Sequence, residues 1–172
     1  MTIKFAFIEH QNGAQVTAFF KQRLERAFAT VGLRAKDYCV VLPRLDADNF
    51  VAAIALCDVL LDSIGWSGFN STLEGLAHGA PIVTMTGRFM RGRHTMAVLR
   101  MMDVTETITE TIDDYVSVAV RLARDVPWRM MLKERMSSNK DRIYRDRTVI
   151  VALQEFLNRV ARQRHESKHY ST

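Results

Sequence analysis

The sequence has little of what disulfide-rich, metal-binding or membrane proteins need. It contains two cysteines, Cys39 and Cys57, both in apolar surroundings and outside any CxxC or Cys/His spacing, so we expect neither a disulfide framework nor a metal site. It has no run of about 18 apolar residues, and its first residues do not follow the pattern of a signal peptide. We therefore expect a cytoplasmic protein without a membrane span.

Basic charge is scarce over most of the chain and concentrated near its end. Residues 1–120 carry a net charge of −2 and residues 121–172 carry +7. In the basic part, Arg124, Arg129 and Arg135 alternate with acidic residues, as on a solvated helix face. We expect no nucleic-acid binding from this pattern, although an anionic ligand or partner stays possible.

Short apolar runs alternate with amphipathic helical patterns, which predicts a parallel sheet covered by helices on both faces. The sequence thus favours an α/β fold, a doubly wound Rossmann-like parallel sheet, in one domain over residues 1–164 with a polar tail at 165–172. Beyond Gly92 the pattern is helical and includes a long amphipathic segment from Trp128 to Val160. The predicted strands lie in residues 3–10, 38–43, 58–62 and 80–85.

Residues 60–87, LLDSIGWSGFNSTLEGLAHGAPIVTMTG, are unusually rich in turn residues. They include a predicted strand-to-helix loop, SIGWSGF. Ligands of doubly wound sheets bind at such loops, and the free N–H groups of a helix start suit a phosphate. Gly65 and Gly68 would let the main chain approach that anion. Ordinary helix caps and turn glycines explain the same residues equally well. The polar candidates at the helix start are Asn70, Ser71, Thr72 and Glu74.

Residues 58–93, DVLLDSIGWSGFNSTLEGLAHGAPIVTMTGRFMRGR, resemble the nucleotide-sugar-binding segment of the O-linked N-acetylglucosamine transferase family, in particular its bacterial, repeat-containing, SPINDLY-like branch. The similarity extends from about Ile3 to Val160. It implies the C-terminal domain of a GT-B glycosyltransferase, here with a helical C-terminal extension. The implied ligand is a UDP-sugar, UDP-N-acetylglucosamine in that family, which is a substrate, so no cofactor is expected.

The resemblance also implies roles for single residues. It places Asn70 and Ser71 on the UDP diphosphate, with Gly68 and Thr72 beside them, and Glu74 on the ribose. Phe69 stands where animal members of the family have a histidine, so that phosphate contact is in doubt. The remaining implied contacts are the main chain of Arg44 and Leu45 at the uracil edge, Phe50 against the base and Arg93 in the loop after the fourth strand. Phe50 fits the apolar face of its own helix equally well.

Two departures from related enzymes refine the expectation. Retaining GT-B enzymes carry two glutamates eight positions apart, whereas Trp66 stands eight positions before Glu74, which favours inverting chemistry. The resemblance also implies an upstream strand, an acceptor-side domain and helical repeats that these residues do not match. We therefore expect a fragment that is inactive alone, with a protein or other hydroxyl acceptor and an unassigned catalytic base. The alternative is a non-catalytic interaction module derived from such an enzyme.

Overall fold

A computed structural model describes residues 3–9 and 13–169, with side chains up to residue 163. Strands and helices alternate in the first two thirds of the chain, and helices make up the remainder. The strands are β1 (Phe5–Ile8), β2 (Cys39–Leu42), β3 (Leu60–Leu61), β4 (Ile82–Met85) and β5 (Ile108–Thr109). The helices are α1 (Ala14–Ala29), α2 (Ala47–Ala55), α3 (Asn70–Ala77), α4 (His94–Met101), α5 (Ile112–Arg124), α6 (Val126–Asn139), α7 (Asp141–Tyr144) and α8 (Thr148–His169).

All the strand pairs are parallel, which confirms the predicted α/β class. The described strands nevertheless form two sheets: β1 pairs with β2, and β3, β4 and β5 pair in that order. In β1 and β2, Phe5 lies opposite Cys39 and Ile8 opposite Leu42. The predicted single sheet is thus divided between an N-terminal unit, residues 3–46, and a C-terminal unit, residues 58–144, which α2 connects.

The hydrophobic core belongs to the C-terminal unit. Strand β4 is its centre, with Val83 fully buried, because helices α3, α4 and α5 all pack against this strand. From the helices, Leu99, Leu122 and Leu132 are also at 0% exposure. The core therefore sits directly beneath the loops that follow β3 and β4.

Several helices begin at the side chains that local chemistry favours. The Asp46 carboxylate accepts a hydrogen bond of 2.8 Å from the Asn49 N–H at the start of α2. Thr111 and Asp125 cap α5 and α6 in the same way, through the N–H groups of Asp114 and Trp128. Such caps satisfy donors that have no partner within the helix.

The C-terminal part differs from the sequence prediction at three places. Strand β5 was not predicted, because it is two residues long and lies in the alternating polar stretch Glu106–Glu110, whose pattern is weak. The predicted helix from Trp128 to Val160 is broken into α6, α7 and α8. Helix α8 also continues through residues 165–169 of the predicted polar tail, whereas residues 170–172 lie outside the described part of the chain.

Arg129 also differs from its predicted place on a solvated helix face, since it is only 8% exposed. Its guanidinium donates to the carbonyl groups of Leu122 and Ala123 at 2.8 and 3.1 Å, and it pairs with Asp58 at 3.1 Å. These carbonyls lie at the C-terminal end of α5, where a cation is stabilised by the helix dipole. Arg129 thus joins two helices and the start of the β3 segment.

Candidate functional site

The candidate site lies at the carboxyl ends of β3 and β4, where two loops meet. The β3–α3 loop turns at Gly65, whose φ of +85° favours glycine. The Ser67 N–H then donates to the Arg91 carbonyl at 2.8 Å, which joins this loop to the one after β4. In that second loop, a Cβ atom on Gly87 would lie 2.8 Å from the Gly92 carbonyl oxygen, so only glycine permits this approach of the two main-chain segments.

A buried carboxylate, Asp62, organises the β3–α3 loop from below. It is 7% exposed and accepts three hydrogen bonds: from Thr84 Oγ1 at 2.6 Å, Ser67 Oγ at 2.7 Å and the Gly68 N–H at 2.8 Å. Its main-chain carbonyl accepts a fourth bond, of 2.9 Å, from the Tyr115 hydroxyl. Buried charges persist when they are hydrogen-bonded in this way, so the loop and the sheet are held in one geometry.

Burial, together with the nearby Asp62 charge, raises the pKa of Tyr115 to about 12. The hydroxyl therefore stays protonated over the physiological range and remains a donor to the loop.

Hydroxyl groups connect this loop to the first turns of both α3 and α4. Ser67 Oγ accepts a 2.9 Å bond from the Thr95 N–H in α4. Thr95 Oγ1 lies 2.8 Å from Thr72 Oγ1 in α3 and donates to the Gly68 carbonyl at 3.2 Å. All three hydroxyl side chains are buried. The two helix N-termini are consequently fixed beside each other.

Neither helix start is capped by the side chain of its own cap residue, although Ser67 Oγ takes one first-turn donor of α4, the Thr95 N–H. Phe69 occupies the cap position of α3 and Arg93 that of α4, and neither side chain bonds a helix N–H. The helical residues Asn70 and Ser71 therefore present N–H groups that have no acceptor within the helix. The alternative that a residue of the Asn70–Thr72 stretch caps the helix is not what the structure shows, since Phe69 holds the cap position. The N–H groups at the start of α3, beside the start of α4, form a locally positive edge suited to an anion.

Gly68 keeps the side chains at this edge close to the loop. A Cβ atom on Gly68 would lie 2.7 Å from Ser71 Oγ and 3.0 Å from Thr72 Oγ1. The exposed Ser71 hydroxyl can rotate away from a side chain at this position, but Thr72 Oγ1 is buried and bonded to Thr95, so a larger residue would press on that bond. Asn70, Ser71 and Glu74 remain solvent-exposed and accessible to a ligand.

Aromatic rings and guanidinium groups surround the edge. The rings of Phe69 and His94 meet edge to face with centroids 5.5 Å apart, across the two helix starts. The Arg91 guanidinium lies 5.1 Å from the Phe89 ring and 5.8 Å from the Trp66 ring. These contacts hold positive charge at the rim of the edge.

The structure brings together some of the predicted site residues and separates others. Gly68 through Glu74 and Arg93 lie on the elements that meet at this edge, but the Thr72 side chain is 1% exposed and bonded to Thr95. Arg44 and Leu45 follow β2, in the other sheet, and Phe50 lies half-buried on α2.

Sequence reasoning missed the residues that support the site. Asp62, Thr84 and Thr95 were not predicted to be functional, although an aspartate ending an apolar strand is a recognisable signal. Ser67 was likewise read only as part of a turn. Their role depends on contacts between residues 22 to 28 positions apart along the chain, which local patterns do not show.

A cavity of about 700 Å³ lies away from this edge. Its lining includes His78, Met130, Lys133 and Glu134. It lies at the C-terminal end of α3, where the helix dipole is negative. Among the side chains of residues 3–9 and 13–163, no group of three or more His, Cys, Asp or Glu is arranged to hold a metal ion.

Comparison with known proteins decides the family. The model of glycosyl transferase family 41 matches residues 19–149, which include both loops of the site. The chain belongs to glycosyl transferase family 41.

Relatives of this family 41 chain include plant proteins named SPINDLY. The protein of Petunia hybrida, named a probable UDP-N-acetylglucosamine–peptide N-acetylglucosaminyltransferase, is 28% identical over 123 residues, which is 69% of this chain and 13% of the relative. The protein of Solanum lycopersicum with the same name is 33% identical over 95 residues, 53% of this chain and 10% of the relative. The chain thus spans only a small part of these proteins.

A solved structure agrees with the fold. A lysine-to-methionine mutant of the Thermobaculum terrenum O-GlcNAc transferase superposes with a TM-score of 0.75 at 27% identity, covering 91% of this chain and 29% of that one. This match confirms that the chain has the fold of part of a GT-B enzyme. None of the helices that the structure describes is both long and apolar enough to cross a membrane.

Proposed function

We propose that this family 41 chain holds the donor, UDP-N-acetylglucosamine, for an inverting glycosyltransferase, with the diphosphate at the joined N-termini of α3 and α4. The observation that carries the proposal is the start of α3, which has no side-chain cap and is held beside the start of α4 by Asp62, Ser67 and Thr95. The names of the relatives support the choice of sugar nucleotide.

Residues at the edge and beside it bind the diphosphate, the ribose and the uracil of the sugar nucleotide. The N–H groups of Asn70 and Ser71, with the Ser71 hydroxyl, bind the diphosphate, and Arg93 at the start of α4 balances its charge. Glu74 lies one turn into α3 on an exposed position and accepts hydrogen bonds from the ribose hydroxyls. The main chain at Arg44 and Leu45, with Phe50, receives the uracil. Phe69 contributes packing against His94 rather than a hydrogen bond to phosphate.

The edge supplies one half of the chemistry of glycosyl transfer. When the bond between the sugar and the diphosphate breaks, negative charge develops on the departing UDP. Preorganised N–H groups and the positive ends of two helices stabilise that charge without rearrangement. Deprotonation of the acceptor hydroxyl and recognition of a protein acceptor fall to parts of a family 41 enzyme outside these residues.

Calorimetric titration of the chain with UDP and with uridine tests the proposal. We expect UDP to bind more tightly than uridine, because the diphosphate makes the charge-assisted contacts. Ser71→Ala and Glu74→Ala each remove one such hydrogen bond and should weaken UDP binding by about tenfold. Ser71→Ala should narrow the difference between UDP and uridine, whereas Glu74→Ala should weaken both ligands.

Matched controls carry the same changes away from the edge. Ser138→Ala in α6 and Glu155→Ala in α8 alter exposed residues and should leave both affinities unchanged. A folded chain that binds UDP and uridine equally would refute the diphosphate site. If it binds neither ligand, the titration is repeated with the upstream sequence restored, and a continued lack of binding would refute the site and favour the non-catalytic interaction module.

A further inference from the structure

His94 lies at the edge of the candidate site with a side chain that has no polar partner. It is the first residue of α4, and it is half-buried. Within residues 3–9 and 13–163, its imidazole takes part in no hydrogen bond or ion pair, and its ring contacts the ring of Phe69. An imidazole carries at least one N–H donor in either charge state, so a donor at this edge has no acceptor within the described part of the chain.

The buried network of the site holds the main chain of His94 in place. The peptide group between His94 and Thr95 carries the N–H that donates to Ser67 Oγ at 2.9 Å. The Thr95 hydroxyl in turn lies 2.8 Å from Thr72 Oγ1 in α3. The start of α4 is therefore fixed relative to the start of α3, and the imidazole is presented from a rigid element rather than from a loop.

The His94 side chain extends from α4 toward the start of α3. Its ring and the Phe69 ring have centroids 5.5 Å apart and planes inclined at 64°, an arrangement that restrains both rings. Phe69 directly precedes Asn70, the first residue of α3, whose N–H has no acceptor within the helix. The contact therefore places the imidazole beside the N–H groups that α3 presents to an anion.

The segments around His94 carry positive charge and no carboxylate. Residues 63–73 contain no charged side chain, and residues 86–102 contain four arginines but neither aspartate nor glutamate. The Asp62 carboxylate lies beneath the loop and already accepts three hydrogen bonds. These segments therefore supply no carboxylate for the imidazole N–H, and their arginines favour an anionic acceptor from outside the chain.

We propose that His94 is a further binding residue for the diphosphate of the sugar nucleotide and donates a ring N–H to a phosphate oxygen. This role rests on the proposed function and adds a side chain of α4 to the main-chain donors of Asn70 and Ser71 in α3. A hydrogen bond to a charged phosphate is stronger than one between neutral groups. With donors on two helices, the site gains selectivity for a diphosphate over a nucleoside that lacks one.

A role of the His94 ring in packing alone makes a different prediction, which one substitution separates from phosphate binding. His94→Phe keeps a planar ring against Phe69 but removes both ring nitrogens. If the ring only packs, UDP and uridine bind to this variant as they bind to the unchanged chain. If His94 binds phosphate, UDP binding alone weakens, by about tenfold, which is the loss expected for one hydrogen bond to a charged group.

Calorimetric titration with UDP and with uridine measures this difference. We expect His94→Phe to weaken UDP binding by about tenfold and to leave uridine binding unchanged. The matched control is His78→Phe, which makes the same change at an exposed histidine at the opposite end of α3. It should leave the affinities for both ligands unchanged.

Nuclear magnetic resonance of isotopically labelled histidine gives a second readout in the unchanged chain. Saturating UDP should shift a ring-nitrogen signal of His94 but not those of His78, and uridine should shift neither. If the chain binds UDP more tightly than uridine, an unmoved His94 signal or an unchanged UDP affinity in His94→Phe would overturn this role and leave the proposed function standing. Equal binding of UDP and uridine by the unchanged chain, or binding of neither with the upstream sequence restored, would overturn both.

Discussion

The N-terminal and C-terminal units are built from the same kinds of elements but reach very different degrees of burial. In the N-terminal unit, α1 covers one face of two strands, and its exposed side chains include Val16 and Phe19 at 54% and 59%. In the C-terminal unit, β4 lies between two strands and beneath three helices, and its core residues are at or near 0% exposure. Apolar patterning therefore selects secondary structure, whereas the number of packed layers decides how much of it is buried.

The contacts of the N-terminal unit show how far one helix can stabilise a pair of strands. Phe7 and Phe20 meet edge to face at 4.9 Å, and Phe28 stacks with Tyr38 at 5.8 Å. These pairs fix the position of α1 against β1 and β2. They do not shield the other face of the strands, so we expect this unit to have the lower local stability.

Leucine truncation in each unit should give the largest difference. Leu99→Ala opens a cavity in α4 at a fully buried site and should lower the free energy of unfolding by about 3 kcal/mol. Leu24→Ala in α1 changes a half-buried site of the same chemistry and should lower it by about 1 kcal/mol. Urea denaturation of both variants measures the difference. Equal losses would mean that the N-terminal unit is buried in solution, for example by self-association.

Removal of a carboxylate in each unit should give the next largest difference. Asp62→Asn weakens a buried acceptor of three hydrogen bonds and should cost about 2 kcal/mol of unfolding free energy. Asp37→Asn removes an exposed partner of Arg34 and should cost under about 0.5 kcal/mol. Thermal and urea unfolding of the two variants provide the comparison. A loss at Asp37 as large as that at Asp62 would contradict the supporting role assigned to the buried network.

The pH dependence of stability should separate the units further. Burial raises the pKa of Tyr115 to about 12 in the folded chain, above its ordinary value of about 10, so the folded state binds the hydroxyl proton more tightly. Its contribution is complete below pH 10 and is lost as the pH rises toward 12. At pH 11 the loss should be about 1 kcal/mol. Tyr115→Phe should remove this alkaline loss, with a cost of about 1 kcal/mol at pH 7 for the missing bond to Asp62.

The control for this effect is a tyrosine of the other unit. Tyr38→Phe changes a ring that stacks on Phe28, away from the Asp62 network. Its effect on the free energy of unfolding at pH 8 measures the loss of a tyrosine hydroxyl outside the network. If Tyr115→Phe costs no more than this change, and its difference from the unchanged chain is the same at pH 8 and pH 11, Tyr115 is not held as a buried donor.

The sequence predicted those parts of the fold that depend on neighbouring residues. The Asp46 cap, the amphipathic α1 and the buried run of β4 all follow from local patterns. The break after Asn139 was not predicted; at this point the Asn139 side chain donates to the Met102 carbonyl at 2.7 Å, a contact between residues 37 positions apart that local patterns do not show. The division of the sheet was also unpredictable, since strand pairing is decided by which edges meet.

In the candidate site, too, features set by neighbouring residues were predicted and features set by long-range contacts were not. The loop and its exposed polar residues were predicted because glycine, serine and asparagine have strong local preferences. The Asp62–Ser67–Thr95 network was missed, because buried hydroxyl bonds between α3, α4 and β4 have no sequence periodicity.

Helix caps should give the smallest effects and locate the boundary between the units. Thr111→Ala removes the cap of α5, which packs on β4, and should lower global unfolding free energy by about 1 kcal/mol. Asp46→Ala removes a cap of similar strength at the end of the N-terminal unit and should mainly speed amide exchange in α2, with a smaller global effect. Hydrogen exchange measured beside urea denaturation distinguishes the two outcomes. If both variants lower the global free energy of unfolding equally, the two units unfold as one cooperative body. If the N-terminal unit opened separately, loss of its cap would lower the free energy of that local opening more than the global free energy of unfolding.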